Sequence, residues 1–321
     1  SYFDGGVVAY QGLRVIDFHS HFPTVKPMMG GSYADNPQHP RGADKAAVIR
    51  EWMKMYNDDW RLAWDFPAPE KEKQSDQVLA DRWAAEVDQY GLDRVVFVTG
   101  GGNDNLAQVI ARHPTKFIGF AHHNLFADNA AEELERAITQ LGMRGYKLLA
   151  PALEKPIEDR SAWRVWEVAE KHDIPVLIHF GVLGSGGGVA WHENINPFKL
   201  HDVARAFPTV KFIVPHFGCG WVRETLQLCW SCANVYVDTS GSNQWVRWMP
   251  EELTVKMLFR KYLETIGPDR LIFATDSSWF PRGFAIRYLQ DQLRDCRELT
   301  VPPDALAKIF GGNAARLLKM Q

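Results

Sequence analysis

Eight short apolar runs, at residues 15–22, 94–99, 117–123, 145–150, 175–181, 211–218, 235–240 and 271–277, alternate with amphipathic stretches at 77–90, 103–112, 130–141, 162–172, 197–206, 221–232 and 250–266. Gly, Pro or a polar turn closes each stretch, which reads as strand and helix in alternation. Strands separated by helices pair in parallel, and eight of them close into a (β/α)8 TIM barrel. The competing architecture, an open doubly wound sheet, loses ground because no early run is followed by G-x-G-x-x-G. A chain of 321 residues has room for two domains, yet the strand count fits one barrel domain over residues 1–321.

One interval breaks the rhythm. Residues 23–75 separate the first strand from the first barrel helix, far more than an ordinary βα connection needs. This insertion holds a helical stretch at 44–56 and then Trp60, Trp64, Phe66, Pro67 and Pro69. Because it leaves the C-terminal end of the first strand, it is expected to fold over the barrel mouth.

Charge and cysteine content exclude several classes. Lys plus Arg number 36 against 39 Asp plus Glu, so no basic footprint marks the chain for nucleic acid or an anionic membrane. No run of about 18 apolar residues exists to span a bilayer. The four cysteines, Cys219, Cys229, Cys232 and Cys296, are too few and too scattered for a disulfide framework, which fits a reducing, cytoplasmic setting. Cys229 and Cys232 form a lone C-x-x-C on a helix and read as core packing. The chain opens on Ser1 rather than Met, which leaves open whether its N-terminus was trimmed. Twelve Trp and eleven His are unusual counts and call for an explanation.

The histidines supply one. In Asp17-Phe18-His19-Ser20-His21 the period of a strand puts Asp17, His19 and His21 on one face. Two imidazoles inside a barrel are costly without partners, and a metal ion would satisfy both. His179, His216 and Asp276 end the fifth, sixth and eighth apolar runs. Strand ends converge over the barrel mouth however far apart they lie in sequence.

These residues, with Ala274-Thr-Asp276 and the terminal Gly311-Gly-Asn-Ala-Ala-Arg-Leu-Leu318, resemble the amidohydrolase superfamily, specifically the amidohydrolase-2 branch related to aminocarboxymuconate-semialdehyde decarboxylase. The resemblance implies one divalent metal ion, zinc ahead of manganese, held by His19, His21, His179 and Asp276. It leaves His216 unliganded as the catalytic acid or base and admits a homodimer. Such a donor set suits zinc or another first-row ion. Asp276 then has a second, catalytic role, taking the proton of an activated water. Asp17 either orients a ligand or is structural.

Further expectations concern a small-molecule substrate. Lys147, on the fourth strand, stands where binuclear members of the superfamily carry a carboxylated lysine; with a single metal it reads as a substrate contact or a barrel ion pair. Of His122 and His123 only one can face the mouth, and His123 is taken as a substrate contact. Arg223 and Arg282 follow the sixth and eighth strands, where either can clamp a carboxylate. The Gly-rich loop at 181–189 lacks the ending of a phosphate loop and reads as a flap leading into Trp191. Trp191, Trp221, Trp245 and Trp279 fall in or beside the loops after strands five to eight and suggest an aromatic pocket.

The preferred expectation is a hydrolase that uses activated water on an amide or lactone type bond of a small cyclic or aromatic, carboxylated substrate. The alternative is nonoxidative decarboxylation, with a non-catalytic binding barrel as a remote third. The tilt to hydrolysis rests on His19, where many aromatic-acid decarboxylases of the branch have Glu, and on Phe217-Gly-Cys-Gly-Trp221, which lacks their Arg and Gly pattern.

Overall fold

A computed structural model describes residues 12–33, 43–183 and 192–320. Its eight strands are β1 Ile16–His21, β2 Arg94–Thr99, β3 Phe117–Gly119, β4 Tyr146–Leu149, β5 Val176–His179, β6 Phe212–Val214, β7 Val235–Asp238 and β8 Leu271–Ile272. They pair in parallel as β1-β2-β3 and β4-β5-β6-β7-β8. Two seams close the ring. At β3–β4, Ala121 N donates to Gly145 O and Lys147 N to Ala121 O; at β8–β1, Asp276 N donates to His19 O and His21 N to Ser277 O. The result is the eight-stranded barrel that the alternation predicts.

The helices are α1 Ala43–Ala63 in the insertion, then α2 Asp76–Gln89, α3 Asn103–Arg112, α4 Ala130–Thr139, α5 Trp163–His172, α6 His201–Ala206, α7 Val222–Ser231, α8 Val255–Ile266 and α9 Ile286–Glu298, with the short α10 Pro303–Ala307 and α11 Asn313–Leu317 at the end. Their apolar stripes and the outward side chains of the strands form the larger core, in which Trp83 of α2 meets Phe97 of β2 edge-on. The barrel interior is a separate layer of Ile16, Phe18, Val96, Val98, Ile118, Phe120, Leu177, Ile213 and Ile272, closed at one end by Ala314, Ala315, Leu317 and Leu318. An apolar plug at that end leaves the C-terminal strand ends for polar chemistry.

Period-two reading fails at one place that matters. The pairing of β1 with β2 slips between Asp17 and Ser20, the mark of a bulge. Asp17 therefore does not share a face with the two histidines: its carboxylate accepts from Thr275 N, Thr275 Oγ1 and Ser20 Oγ, and so ties β1 to the segment after β8. Burial pushes this carboxyl up to about 7 against those bonds.

The insertion leans on the loops after β7 and β8. Trp60 Nε1 donates to Ser242 Oγ, Trp279 Nε1 to Pro67 O, Glu70 N to Phe280 O and Arg287 to Trp64 O. Among the described residues no helix is long and apolar enough to cross a membrane, and all four cysteines are free thiols.

Candidate metal centre and active site

Past the bulge, β1 delivers both histidines to one carboxylate. His21 Nε2 lies 3.0 Å and His19 Nε2 3.7 Å from Asp276 Oδ1. One ligand atom from each of His19, His21 and Asp276 falls within 4.8 Å of the others. The far nitrogens are held elsewhere: His19 Nδ1 lies 3.0 Å from Asp238 Oδ2 and His21 Nδ1 2.7 Å from Thr99 Oγ1. Burial, with Lys147 beside it, pushes His19 down to about 3, so the ring is neutral and keeps one lone pair. Burial alone would raise Asp276, but its bond to His21 and the charge of the surrounding histidines hold it well below the usual carboxylate range. Two neutral imidazoles with their outer nitrogens occupied and an ionised carboxylate form a donor set suited to one divalent cation.

His179 and His216 stand next to this trio as a pair. His216 Nε2 is 3.2 Å from His179 Nδ1, and His179 Nε2 is 3.2 Å from Val182 O. His179 thus sits outside the trio of ligand atoms, with its ring turned to His216. The His216 ring centroid lies 5.3 Å from that of His19. His216 has φ 57° and Asp276 also has φ 57°, in the left-handed region where residues with a Cβ are uncommon and which is often occupied at functional sites. The sixth apolar run predicts a strand through 218, but β6 ends at Val214 because the chain turns left-handed at His216. Gly241 borders the pair with φ 79°: a Cβ there would meet His216 Nδ1 at 3.5 Å and Asp276 Oδ2 at 3.7 Å, ordinary contact distances, so the left-handed backbone rather than lack of space favours glycine.

Two cations border the cluster. Lys147 is buried on β4 with Nζ 3.3 Å from His19 Nε2, and burial pushes it down to about 8. Arg282 donates from one terminal nitrogen to Asp276 O at 3.0 Å and has no carboxylate partner among the described residues. Its Nε is shielded from solvent and unbonded. The guanidinium carbon stacks 3.8 Å from the Trp279 ring centroid and 5.2 Å from that of Phe66. Trp60 and Phe66 come from the insertion and meet Trp279 at 5.6 and 6.4 Å. Sequence reasoning did not pair the insertion's aromatics with Arg282.

Other expected contacts are corrected. His123 is turned away: Nε2 donates to Ala130 O, Nδ1 faces the Asn103 amide and the ring packs at a tilt against Tyr146. His122 is the one on the inward side, but its Nε2 already accepts from Gly100 N and Gly102 N. Arg223 is exposed in the first turn of α7 and is not brought to the cluster. Trp245 is buried and donates to Asn243, so it packs rather than lining an open pocket. Trp191 and most of the Gly-rich loop, 184–189, lie outside the described residues. A surface depression of about 430 Å³ between Phe198, Leu226, Trp230 and Thr265 lies on the outer helices, away from this chemistry.

The residues that the sequence reading missed are Asp238, Ser240 and Thr99, all fully buried. Each is a polar residue at or just past the end of an apolar strand, the same signal that singled out His179, but Asp and Ser in such places are common enough to pass unnoticed.

Comparison with known proteins gives the family and the fold. Residues 16–320 match a family model described as amidohydrolase. Over 267 residues, 68% of this chain and 75% of the relative, the sequence is 26% identical to the gamma-resorcylate decarboxylase of Polaromonas sp.. It is 24% identical over 181 residues to the 2-amino-3-carboxymuconate-6-semialdehyde decarboxylase of Dictyostelium discoideum, spanning 51% of this chain and 48% of that one. Among solved structures, a 5-carboxyvanillate decarboxylase from Novosphingobium aromaticivorans, with manganese and 4-hydroxy-3-methoxy-5-nitrobenzoic acid bound, superposes with a TM-score of 0.61 at 17% identity, covering 99% of both chains. A probable 2-pyrone-4,6-dicarboxylic acid hydrolase from Acinetobacter baumannii does so with a TM-score of 0.60 at 13% identity, covering 96% of this chain and all of the other.

Proposed function

Because the chain belongs to the amidohydrolase family, and in it to the amidohydrolase-2 branch, we propose that this enzyme removes carbon dioxide without redox chemistry from a small aromatic acid. The observation that carries the reading is the His19, His21 and Asp276 trio beside an unliganded His216, bordered by the cations of Lys147 and Arg282. The names of the curated relatives support decarboxylation over the hydrolysis that the sequence alone favours. His19 in place of Glu is therefore a poor discriminator between the two reactions. The remote third expectation, a binding-only barrel, is set aside because the chain is an enzyme of this family.

His19, His21 and Asp276 would hold a divalent ion, with His179 as the fourth ligand and zinc or manganese as the metal. Such an ion supplies Lewis acidity toward a substrate oxygen. The protein's own groups do the rest. Arg282 and Lys147 offset the negative charge of the acid. The carbon–carbon bond to the carboxylate breaks, its electron pair stays on the ring carbon and carbon dioxide leaves. That carbon takes a proton, for which His216 is the positioned carrier. Trp279 and Phe66, set edge to face beside Arg282, offer apolar surface for an aromatic ring. The free thiols fit a cytoplasmic enzyme.

Incubating the metal-loaded enzyme with a panel of hydroxybenzoic acids and lactones in H₂¹⁸O tests the reading. Release of carbon dioxide with one ring proton gained supports decarboxylation. Incorporation of ¹⁸O without carbon dioxide favours hydrolysis, the second reading, to which the A. baumannii neighbour lends support.

Arg282 gives a separate prediction. Replacing it by Met removes a charged hydrogen-bond donor worth about 1.5–3 kcal/mol, so KM for the acid is expected to rise roughly 10- to 100-fold while kcat changes less. Steady-state kinetics of Arg282→Met check it, and an unchanged KM removes Arg282 from the binding site.

A further inference from the structure

Asp238 ends β7 with no solvent exposure, and its two oxygens serve different partners. Oδ2 lies 3.0 Å from His19 Nδ1. Oδ1 accepts from His216 N at 3.2 Å, from Ser240 N at 2.9 Å and from the Ser240 hydroxyl. Two backbone N–H groups and a hydroxyl converge on Oδ1 while Oδ2 faces an imidazole nitrogen, the surroundings of an ionised carboxylate, which can only accept.

Proton accounting then runs along the network. His19 must present its N–H at Nδ1, which leaves the Nε2 lone pair facing Asp276. The Ser240 hydroxyl spends its one proton on Asp238, so at its contact with His216 Nδ1, 2.8 Å away, it can only accept. The Ser240 carbonyl, 3.1 Å from the same Nδ1, can also only accept. His216 therefore carries its N–H at Nδ1 and a lone pair at Nε2. That lone pair faces His179 Nδ1, which must donate; a neutral His179 then meets the Val182 carbonyl, 3.2 Å away, with a bare Nε2, so that contact is not a hydrogen bond in this state. Two imidazoles, His19 and His216, are set by one carboxylate at the end of β7 and one hydroxyl two residues beyond it.

We propose that Asp238 and Ser240 form one positioning unit that fixes the Nδ1–H tautomer of His19 and of His216, and so dedicates Nε2 of His19 to the cation and Nε2 of His216 to substrate. Asp238 acts on both rings; Ser240 carries its influence mainly to His216. The consequence for metal affinity rests on the metal-site reading above, whereas the tautomers belong to the metal-free protein.

The test uses full-length, metal-free protein labelled with ¹⁵N-histidine, with long-range ¹H–¹⁵N spectra for tautomers and titration with Zn²⁺ and Mn²⁺ for affinity. In the wild type both His19 and His216 are expected to show a protonated Nδ1 and a bare Nε2. Ser240→Ala leaves His216 on the carbonyl alone and should give a mixture of its tautomers, with His19 unchanged and metal affinity nearly so; Ser240→Thr restores the wild-type pattern. Asp238→Asn should release His19 and weaken metal binding roughly 10- to 100-fold, the usual cost of losing a partner behind a ligand. A proton on Nε2 of either ring in the wild type overturns the proposal. So does a loss of metal affinity in Ser240→Ala as large as in Asp238→Asn, or a folded Asp238→Asn that binds metal like the wild type. If Asp238→Asn fails to fold, the Ser240 pair decides. If no variant binds metal, the metal reading falls while the tautomer result still decides this proposal.

Discussion

His19→Ala is expected to strip the enzyme of its metal and to lower kcat/KM by about a thousandfold or more. The residue contributes one of three ligand atoms that already lie within 4.8 Å of one another. Its ring is buried and wedged between Asp238 on one side and Asp276 on the other. Alanine removes the donor and leaves the Asp238 carboxylate without its imidazole partner, so the pocket keeps its charge but loses the geometry that selects one cation. Losing a bound Lewis acid forfeits several kcal/mol of charge stabilisation, and each 1.36 kcal/mol is about a factor of ten in rate. Elemental analysis of protein purified without chelators is the check, with wild type near one equivalent of metal and His19→Ala near none. Asp276→Ala should behave alike. If His19→Ala retains the wild-type metal content, the cluster is not the metal site, whatever its effect on rate.

How much of this could be read from the chain follows from what each signal requires. Alternating apolar runs suffice for the barrel, because burial on both sides of a parallel sheet forces near-continuous hydrophobic strands whatever the loops do. The strand-end histidines and Asp276 are legible for the same reason: a polar residue that interrupts such a run at its C-terminal end needs a cause. The face on which His19 sits is harder to obtain. Alternation alone groups it with Asp17, and the register slips between Asp17 and Ser20 and between Ser20 and His21 separate the two histidines from the carboxylate that joins β1 to Thr275. A bulge is set by pairing with a neighbouring strand, which a local pattern does not record. His123 fails as a substrate contact because both of its ring nitrogens are engaged, by Ala130 O and the Asn103 amide, partners that the local pattern does not record. Arg282 depends on Trp60 and Phe66, more than two hundred positions away, and no spacing rule links an insertion to the loop it covers.

His216→Asn is expected to keep the metal and lose the reaction, with kcat lower by roughly 10²- to 10⁴-fold, the range of a positioned proton carrier. Asn preserves a polar group near the Ser240 contacts but has no nitrogen that can take up and release a proton. His216 lies outside the trio of ligand atoms, so metal content should stay near that of the wild type. The comparison with His19→Ala is therefore the informative one: the two rings sit 5.3 Å apart between centroids, share Ser240 as a neighbour, and yet should separate cleanly into a variant without metal and a variant with metal that turns over poorly. Binding of a substrate analogue gives the third reading, since the metal, Lys147 and Arg282 all remain in His216→Asn and its Kd should change little. If metal is lost along with activity, His216 belongs among the ligands, and its turn toward His179 is a feature of the metal-free arrangement. Full activity with metal retained would instead move proton delivery to Asp276, whose left-handed backbone and contact with both β1 histidines place it at the same cluster.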